Sequence, residues 1–423
     1  MKISEMVRQS DRRWATSLDR FCMIMGSLLP AGIVAGNAGF ESIIILVDMA
    51  WILRWVLLKE NPMQKKMIIH PLILPWIFWF GTMIVSLLIN GQEIGGWAHD
   101  IAFIRYLLFV VALIEISQRL PVQKYLIVGM GVGVVWAAIN LLSAHLIGYD
   151  LFGRPLIRYA GKLKESARIA GLFAYVAPFF LGWAVSDKNM TTRRRIFIAV
   201  VGAFALVLVL QTNIRTAFLA SAAGIAIYLI YFLYKKSKWT IVIPALFFTG
   251  IALVAKFWIP YFNDLSSIYD RIYIWKVALA MWQEHPLFGV GVGSFQDAYK
   301  SVAASGIVAP FVAPDGNIFS APETSHAHNL LLMLLACGGI AGFSMFVWLF
   351  VNAVRRMYRQ PDGWRMGLIP WPVVALLIGL TGWSVYSDWY QAVFAYFIVL
   401  AGCCDELRGP DPRHSEPGKR RCG

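Results

Sequence analysis

Residues 328–352, HNLLLMLLACGGIAGFSMFVWLFVN, decide the fold class. This run contains no Asp, Glu, Lys or Arg, and it exceeds the roughly 20 residues that a helix needs to cross a bilayer. Comparable apolar runs recur along the chain, which is 58% hydrophobic and only 15% charged. Because a soluble domain carries about 25% charged residues, the composition indicates repeated membrane spans rather than one large core.

About twelve such runs predict an all-α, polytopic integral membrane protein. They lie at roughly 21–36, 39–58, 72–89, 99–116, 122–146, 169–186, 195–210, 216–234, 239–259, 328–352, 369–386 and 389–404. Backbone polar groups find no partner in lipid and no alternating ten-residue pattern suggests a barrel, so these runs must be helices. The predicted organisation is an N-terminal tail (1–20), nine spans (21–259), a long loop (260–327), three spans (328–404) and a C-terminal tail (405–423). The first span is expected to be an uncleaved anchor.

The distribution of basic residues predicts a multi-pass orientation in the cell inner membrane. With the N-terminus in the cytoplasm, 27 of the 38 Lys and Arg residues fall in the tails and loops on the cytoplasmic side. The loop 260–327 then faces the periplasm. The basic residues form short clusters between apolar runs, which argues against nucleic acid as a partner despite the net charge of +14. None of the five cysteines falls in the loop, so no disulfide framework is expected there.

The long loop is predicted to contain one amphipathic helix, over residues 268–285, lying near the membrane surface. Its apolar residues at helical spacing are Ile268, Ile272, Trp275, Leu279 and Trp282. Pro286 ends this helix, and the remainder through Glu323 is rich in Gly, Pro and Ser and is predicted to be loop. The GVGVG sequence at 289–293 has no surrounding βαβ unit, so it is predicted to be a tight turn rather than a nucleotide site.

Basic residues on the outer side oppose the topology signal, and a bound anion is the simplest compensation for them. They are Arg154, Arg158, Lys162, Lys164, Arg168, Arg215, Arg271, Lys276 and Lys300. Arg168 and Arg215 begin helices at the outer face, where a cation is disfavoured by about 0.3–1 kcal/mol unless an anion binds beside it. Together with Arg271 on the surface helix, they predict a diphosphate clamp. The alternative is contact with lipid headgroups, which is the preferred interpretation for the cluster 154–164.

His326 and His328 lie at the predicted start of span ten, and three roles are open for them. One is a structural role with satisfied hydrogen bonds. Another is zinc binding, which needs three or four ligands, with Asp315 and Glu323 as loose candidates to complete the site. The third is general base: an imidazole at a helix N-terminus is disfavoured as a cation and accepts a proton near pH 7, although a bound diphosphate acts in the opposite direction.

Several motifs link these residues to a known family. His328-Asn329 is followed, after nine residues, by Gly339-Ile340-Ala341-Gly342. This matches the pattern His-Asn/Ser/Gln, nine spacers, Gly, two residues, Gly/Thr/Tyr of the O-antigen ligase family, which the chain resembles. The block 271–295 is similar to the loop of the larger superfamily, which includes O-antigen polymerases. Arg215 matches its outer-face arginine, and Asp388 is similar to an acidic residue before the last helix. With the helix count and loop position, the resemblance covers most of the chain.

The resemblance implies a metal-independent, inverting glycosyltransferase without cofactors. Its donor would be O-antigen on undecaprenyl diphosphate, and its acceptor would be a sugar hydroxyl of the lipid A–core oligosaccharide. Both substrates would be anchored among the membrane lipids at the periplasmic face. His328, or alternatively His326, would take the proton from the acceptor, and Asp388 would orient the imidazole.

In this scheme the diphosphate is held by three arginines, which stabilise the charge on the leaving group. They are Arg168, Arg215 and Arg271. Two alternatives remain open from the sequence: an O-antigen polymerase of the same superfamily and, from another class, a membrane transporter. The charges of Glu41, Asp48 and Arg54 in span two are the features that favour a transporter, whereas no two-fold repeat is visible.

Overall fold

The chain is mostly helical in the computed structural model. The structure describes residues 3–59, 65–90, 94–154, 156–157, 162–163, 166–212, 214–233, 266–312, 316, 318–319, 321–359 and 363–404. The helices are α1 (Ile3–Ser27), α2 (Leu29–Ala35), α3 (Asn37–Leu58), α4 (Lys65–Ile68), α5 (Ile73–Asn90), α6 (Ile94–Ala102), α7 (Ile104–Ser117), α8 (Val122–Ile147), α9 (Ser166–Ser186), α10 (Thr192–Gln211), α11 (Arg215–Leu233), α12 (Ser266–Glu284), α13 (Phe295–Ala304), α14 (Leu330–Tyr358), α15 (Trp371–Thr381) and α16 (Asp388–Gly402), with a 3₁₀ helix at Gly363–Leu368. Two antiparallel hairpins pair β1 (Leu156–Ile157) with β2 (Lys162–Leu163) and β3 (Phe311–Val312) with β4 (Ile318–Phe319).

Six of the described helical segments are long and apolar enough to cross a membrane, and the bent pair α1–α2 provides a seventh candidate. The number twelve is therefore not reached within the described residues. The run 239–259 and the tail 405–423 lie outside them. The run 99–116 is divided into α6 and α7, and the run 369–386 leaves the helix after Thr381. At the other end, α1 already begins at Ile3, within the predicted tail 1–20.

A buried ion network joins α1, α3 and α7. Arg54 contacts Asp19 at 2.9 Å and Glu115 at 3.4 Å, and Arg119 contacts the same two carboxylates at 3.3 and 2.8 Å. The indole N–H of Trp51 also donates to Glu115, at 2.8 Å. Charges inside an apolar protein require such partners. The charge of Arg54, which favoured a transporter, is thus part of the helix packing.

α14 is broken at Gly339, and the loop after α12 fills the break. Gly339 has φ 59° and ψ −164°, outside the helical region. The carbonyls of Ala336 and Cys337, freed by the break, accept the N–H groups of Val290 and Gly291 at 2.8 and 2.9 Å. On the other side of the break, the N–H groups of residues 340 and 341 donate to the carbonyls of residues 286 and 287, at 2.9 and 3.1 Å. The predicted tight turn at 289–293 is found only in part: turns lie at 286–288 and 293–294, and Gly289 and Gly291 adopt positive φ in the segment that pairs with the break.

The long loop contains two helices where one was predicted. α12 confirms the predicted helix within two residues, but its buried face is not the predicted apolar stripe. The buried residues, which pack toward α14, are Tyr273, Ile274, Val277, Ala278 and Met281. The predicted stripe lies outside this core, with Ile268 and Leu279 exposed. The second helix, α13, falls in a stretch predicted to be loop; its buried Phe295, Tyr299 and Val302 have the helical spacing that could have identified it.

Replacing Gly339 with Ala is expected to destabilise the protein strongly. A Cβ at this position would lie 2.3 Å from the backbone of Leu287, and alanine disfavours a φ of 59°. Either the loop leaves the break or α14 distorts, so the four hydrogen bonds weaken together. The expected loss of unfolding free energy is about 3 kcal/mol or more.

Thermal unfolding of the purified protein in detergent measures this effect. Gly81→Ala is the matched control, because Gly81 lies inside α5 and a Cβ there meets no atom within 4 Å. It should keep or slightly raise the unfolding temperature. If Gly339→Ala unfolded at the same temperature as Gly81→Ala, the fit of the loop into the break would not be a source of stability.

Candidate active site

A cavity of about 490 Å³ lies where the long loop meets the starts of α3, α14 and α16. Most of its walls are polar side chains. The lining residues are Asn37, Val292, Gly293, Gln296, Ser325, His326, Met333, Ser384, Tyr386, Ser387, Asp388 and Trp389. Because helix N-termini carry partial positive charge, a polar cavity at this end of the helices favours a ligand with anionic or hydroxyl groups.

The segment 382–387 forms one wall of the cavity and was expected to be helical. It leaves α15 at Gly382, which has φ −160° and ψ −46°. The N–H of Tyr386 then donates to Ser384 Oγ at 3.0 Å, and Trp79 Nε1 donates to Tyr386 Oη at 3.2 Å. Irregular backbone in a membrane protein is tolerated where it lines a cavity, which accounts for the departure from the apolar pattern.

His328 is oriented by the end of α15. Its Nδ1 lies 3.0 Å from the carbonyl oxygen of Gly382. A carbonyl can only accept, so Nδ1 carries the proton and Nε2 of the neutral ring holds the lone pair. The backbone of His328 adopts φ 49°, which is uncommon for a residue with a side chain. The next residue, Asn329, caps α14 by accepting the N–H groups of Leu331 and Leu332 at 3.0 and 3.1 Å.

His326 lies beside His328, with the two ring centroids 4.0 Å apart. It lines the cavity, and its Nδ1 is 3.1 Å from Ser325 Oγ. Burial, aided by the neighbouring His328, lowers the pKa of His326 to about 4. Burial also lowers the pKa of His328; the hydrogen bond to Gly382 opposes this shift and the charge of Arg271 adds to it. Both imidazoles are therefore neutral near pH 7 and available to accept a proton.

Two of the predicted arginines lie near this histidine pair. The charge of Arg271, on α12, acts on both imidazoles. Burial lowers the pKa of Arg271, and the charge of Arg215, the first residue of α11, lowers it further. Two guanidinium groups within electrostatic range repel each other, and an anion bound between them would reverse the sign of that interaction.

Arg168 lies at the same end of the bundle as Arg215. Ser221 Oγ of α11 donates to the Ala174 carbonyl of α9 at 3.3 Å, and further along both helices Tyr228 packs on α9. The two helices are therefore parallel. Arg168 precedes Ala174 by six residues, and Arg215 precedes Ser221 by six residues, which is about 9 Å along each helix. The two arginines therefore lie at the same height along the parallel helix axes.

Arg168 is connected to the cavity through Asn37, because its Nη1 donates to the Asn37 side-chain oxygen. The guanidinium groups of Arg154 and Arg168 both lie close to Gly36. A lipid contact was the preferred interpretation for Arg154, and the structure shows a contact with α2. Its guanidinium donates to the carbonyls of Ala35 and Val34 at 3.2 and 3.1 Å and so caps the end of α2. The rest of that basic cluster is outside the described residues or described only by its backbone.

Asp388 lines the cavity. The sequence predicted that its carboxylate orients an imidazole, but its hydrogen bonds are made elsewhere. Its Oδ1 accepts from Arg105 Nη2 at 3.0 Å and from Tyr106 Oη at 3.3 Å. Arg105 also contacts Glu41 at 3.6 Å. The orienting acceptor of His328 is the Gly382 carbonyl instead, so the last helix contributes a carboxylate to the opposite part of the site.

The fully buried Asp100 of α6 fixes the loop wall of the cavity. Its carboxylate accepts the N–H groups of Val292 and Gly293 at 3.2 and 2.8 Å. These two residues continue directly from the turn that fills the break in α14. The loop wall is thus held on one side by α14 and on the other by α6.

The profile of a protein family described as O-antigen ligase matches residues 100–347. The chain belongs to the O-antigen ligase family. The matched part includes Asp100, both histidines, the three predicted arginines and the break in α14, whereas Asn37 and the lining residues 384–389 lie outside it. Among curated proteins, no sequence matches the chain significantly.

The sequence did not single out every residue of this site. Asp100 and Arg105 stand within a predicted apolar span, where charged side chains are costly and usually have a function. That signal could have identified both residues. Nothing in the local sequence marks Asn37 or the carbonyl of Gly382, since their roles depend on helices that are distant in the chain.

Metal ligands do not gather around the two histidines within the described part of the chain. No group of three or more His, Cys, Asp or Glu side chains is close enough there to hold a metal ion. Of the two candidates for completing a zinc site, Asp315 lies outside the described residues, and Glu323 forms no such group.

Asp100→Ala is expected to loosen the loop wall, because two backbone N–H groups lose their carboxylate acceptor. Amide hydrogen exchange of residues 290–296, measured by mass spectrometry, should accelerate by about tenfold or more, as expected for a loss of 1.4 kcal/mol or more of local stability. Asp297→Ala is the control: it removes an exposed carboxylate from the adjacent helix without touching these bonds. Equal exchange in both variants would exclude Asp100 as the anchor.

Proposed function

We propose that this member of the O-antigen ligase family is itself an O-antigen ligase. It transfers O-antigen polysaccharide from undecaprenyl diphosphate to the lipid A–core oligosaccharide at the periplasmic face of the cell inner membrane. The observation that carries the proposal is that two neutral imidazoles and the guanidinium group of Arg271 meet beside one polar cavity. This is the pairing of proton acceptor and anion site that displacement of a diphosphate requires.

The donor diphosphate is assigned to Arg168, Arg215 and Arg271. The parallel packing of α9 and α11 supports the first two, which begin neighbouring helices at one level, and the electrostatic coupling of Arg215 to Arg271 supports the third. Charge builds up on the diphosphate as its bond to the sugar breaks. Preorganised guanidinium groups stabilise that charge, so they accelerate the reaction more than they tighten ground-state binding.

The acceptor is activated by an imidazole, with His328 as the first candidate because its tautomer leaves Nε2 as a proton acceptor. His326 is the second candidate, and its position in the cavity lining favours it. The hydroxyl oxygen of the acceptor forms a bond to the anomeric carbon as the bond from that carbon to the diphosphate oxygen breaks. The hydroxyl proton moves to the imidazole, undecaprenyl diphosphate leaves with the bonding electrons, and attack from the opposite face inverts the configuration.

Asp388 belongs to the acceptor side of this scheme. A diphosphate is repelled by carboxylates and drawn to the arginines, whereas sugar hydroxyl groups donate well to a carboxylate. The long loop, pinned by Asp100, closes over the sugars and limits water, which would otherwise hydrolyse the donor. No step in this scheme uses a metal ion or a cofactor.

An O-antigen polymerase is the nearest alternative, since it uses the same lipid carrier and differs in acceptor. Deletion strains separate the two: loss of a ligase leaves long polymer on undecaprenyl diphosphate, and loss of a polymerase leaves single repeats on the core. A transporter is less well supported. Of the charges in α3 that favoured it, Arg54 lies in the buried ion network and Glu41 faces Arg105.

Purified protein should join lipid-linked O-antigen to rough lipopolysaccharide in the presence of EDTA. Gel electrophoresis detects the conjugate. Arg215→Gln should lower the rate by about 10²–10³-fold, because a charge stabilising the leaving group is lost. Arg193→Gln, an exposed arginine at the start of α10, is the matched control and should transfer normally. Abolition by EDTA with recovery on adding zinc or magnesium would refute the metal-free mechanism, and absence of any conjugate would refute the ligase.

The pH profile of transfer should extend to unusually acidic pH for a histidine base. Because the folded pKa of His326 is lowered to about 4 and that of His328 is also lowered, the neutral, proton-accepting form persists below the ordinary value near 6.5. The acidic limb of kcat/KM, which reports the free enzyme, is therefore expected below pH 6.5.

Initial rates across pH, at low concentrations of both substrates, measure this limb. His328→Gln should abolish transfer and His326→Gln should leave residual activity; the reverse result would move the base to His326. A limb at or above pH 6.5 would be inconsistent with a buried, neutral imidazole as the base.

A further inference from the structure

Among the described residues, Arg105 is the guanidinium group that contacts Asp388 and Glu41, the carboxylates on one side of the cavity. It is the second residue of α7, just after the break that separates α7 from α6. Its Nη2 lies 3.0 Å from Asp388 Oδ1 and 3.6 Å from Glu41 Oε1. The same nitrogen donates to Tyr106 Oη at 3.2 Å, and Nη1 donates to the Ala102 carbonyl at 3.1 Å. The side chain is thus fixed at both ends of its guanidinium.

The ion group around Arg105 differs from the one that joins α1, α3 and α7. In that network both carboxylates, those of Asp19 and Glu115, are at most 10% exposed, although Arg119 at its edge is 39% exposed. Around Arg105 the side chains of Glu41 and Asp388 are 30% and 34% exposed. A guanidinium that joins two accessible carboxylates beside a cavity acts on groups that a ligand can reach.

The geometry leaves one oxygen of Asp388 available. Both hydrogen bonds, from Arg105 and from Tyr106, end on Oδ1. Within the described residues Oδ2 has no hydrogen-bond donor. A carboxylate oxygen is an acceptor only, so Oδ2 is suited to a hydroxyl group of a ligand in the cavity.

We propose that Arg105 is a positioning residue that turns the Asp388 carboxylate into the cavity, where Oδ2 accepts a hydrogen bond from a sugar hydroxyl of the acceptor. This rests on the proposed function and assigns the acceptor to the side of the cavity near α7 and α16. Arg105 also neutralises the repulsion between Asp388 and Glu41, which would otherwise drive the two carboxylates apart. Tyr106 completes the orientation by donating to the same oxygen as Arg105.

Steady-state kinetics of the full-length protein in detergent test this role, with lipid-linked O-antigen and rough lipopolysaccharide varied separately. Arg105→Gln should lower kcat/KM for the acceptor by about tenfold to a hundredfold, the loss expected when a binding group is misplaced by about 1 Å. The KM for the donor should stay within about twofold. Arg105→Lys, which keeps the charge but not the fork of donors, should recover part of the loss.

A double-variant cycle separates positioning from a general structural effect. If Arg105 acts through Asp388, then Arg105→Gln combined with Asp388→Asn should be no worse than the more damaging single variant. Arg119→Gln, in the turn that follows α7, is the control: it removes an arginine from the ion network with Asp19 and Glu115, so it lowers the unfolding temperature without changing the acceptor KM.

Several outcomes would overturn the proposal while leaving the ligase intact. These are multiplicative losses in the double variant, a rise in donor KM in place of acceptor KM, or wild-type kinetics in Arg105→Gln. If Arg105→Gln fails to fold, Arg105→Lys carries the test, and full acceptor kcat/KM in the lysine variant would refute a role for the guanidinium fork. No conjugate from the wild-type protein is a different result, because then the proposed function fails first and the role of Arg105 with it.

Discussion

Backbone hydrogen bonding in an apolar environment is the constraint on which the rest of this structure depends. A break in a membrane helix frees carbonyl and N–H groups that lipid cannot satisfy, so another part of the protein has to supply partners. At Gly339 that part is the loop 286–291, which replaces the missing helical bonds on both sides of the break. The loop is therefore fixed to α14, and the two residues that follow it become a wall of the cavity. Gly339, the first glycine of the His-Asn motif, and His328, which begins that motif, thus shape the same site.

The cavity owes its chemistry to an uneven distribution of charge. Arg215 and Arg271 are grouped toward the imidazoles, whereas Asp388 and Glu41 are grouped around Arg105. A ligand that is anionic at one end and rich in hydroxyl groups at the other fits this distribution in one direction only. For the proposed transfer reaction, such polarity holds the donor and the acceptor in distinct orientations without a large change in shape.

The sequence predicted much of this, and its errors have physical reasons. Apolar length located α5, α8, α9, α10 and α14, because a long apolar helix is visible in hydropathy alone. The helix α13 and the irregular segment 382–387 were missed, since buried periodicity over ten residues and a departure from a helix into a cavity leave little trace in hydropathy. The outer arginines were singled out because positive charge outside the membrane opposes the topology signal, and the histidines because they stand at the predicted start of span ten. The partner of Asp388 was not, because Arg105 lies 283 residues away in the chain.

The ion network of Asp19, Arg54, Glu115 and Arg119 has a consequence for how the protein is made. Its members emerge from the ribosome roughly a hundred residues apart, as the separation of Asp19 from Arg119 shows. Helices that carry unpaired charges insert into lipid at a cost that falls once their partners arrive. The network is therefore complete only once α7 and Arg119 have been translated. The final packing of the amino-terminal helices thus depends on a residue that is synthesised 100 positions after Asp19.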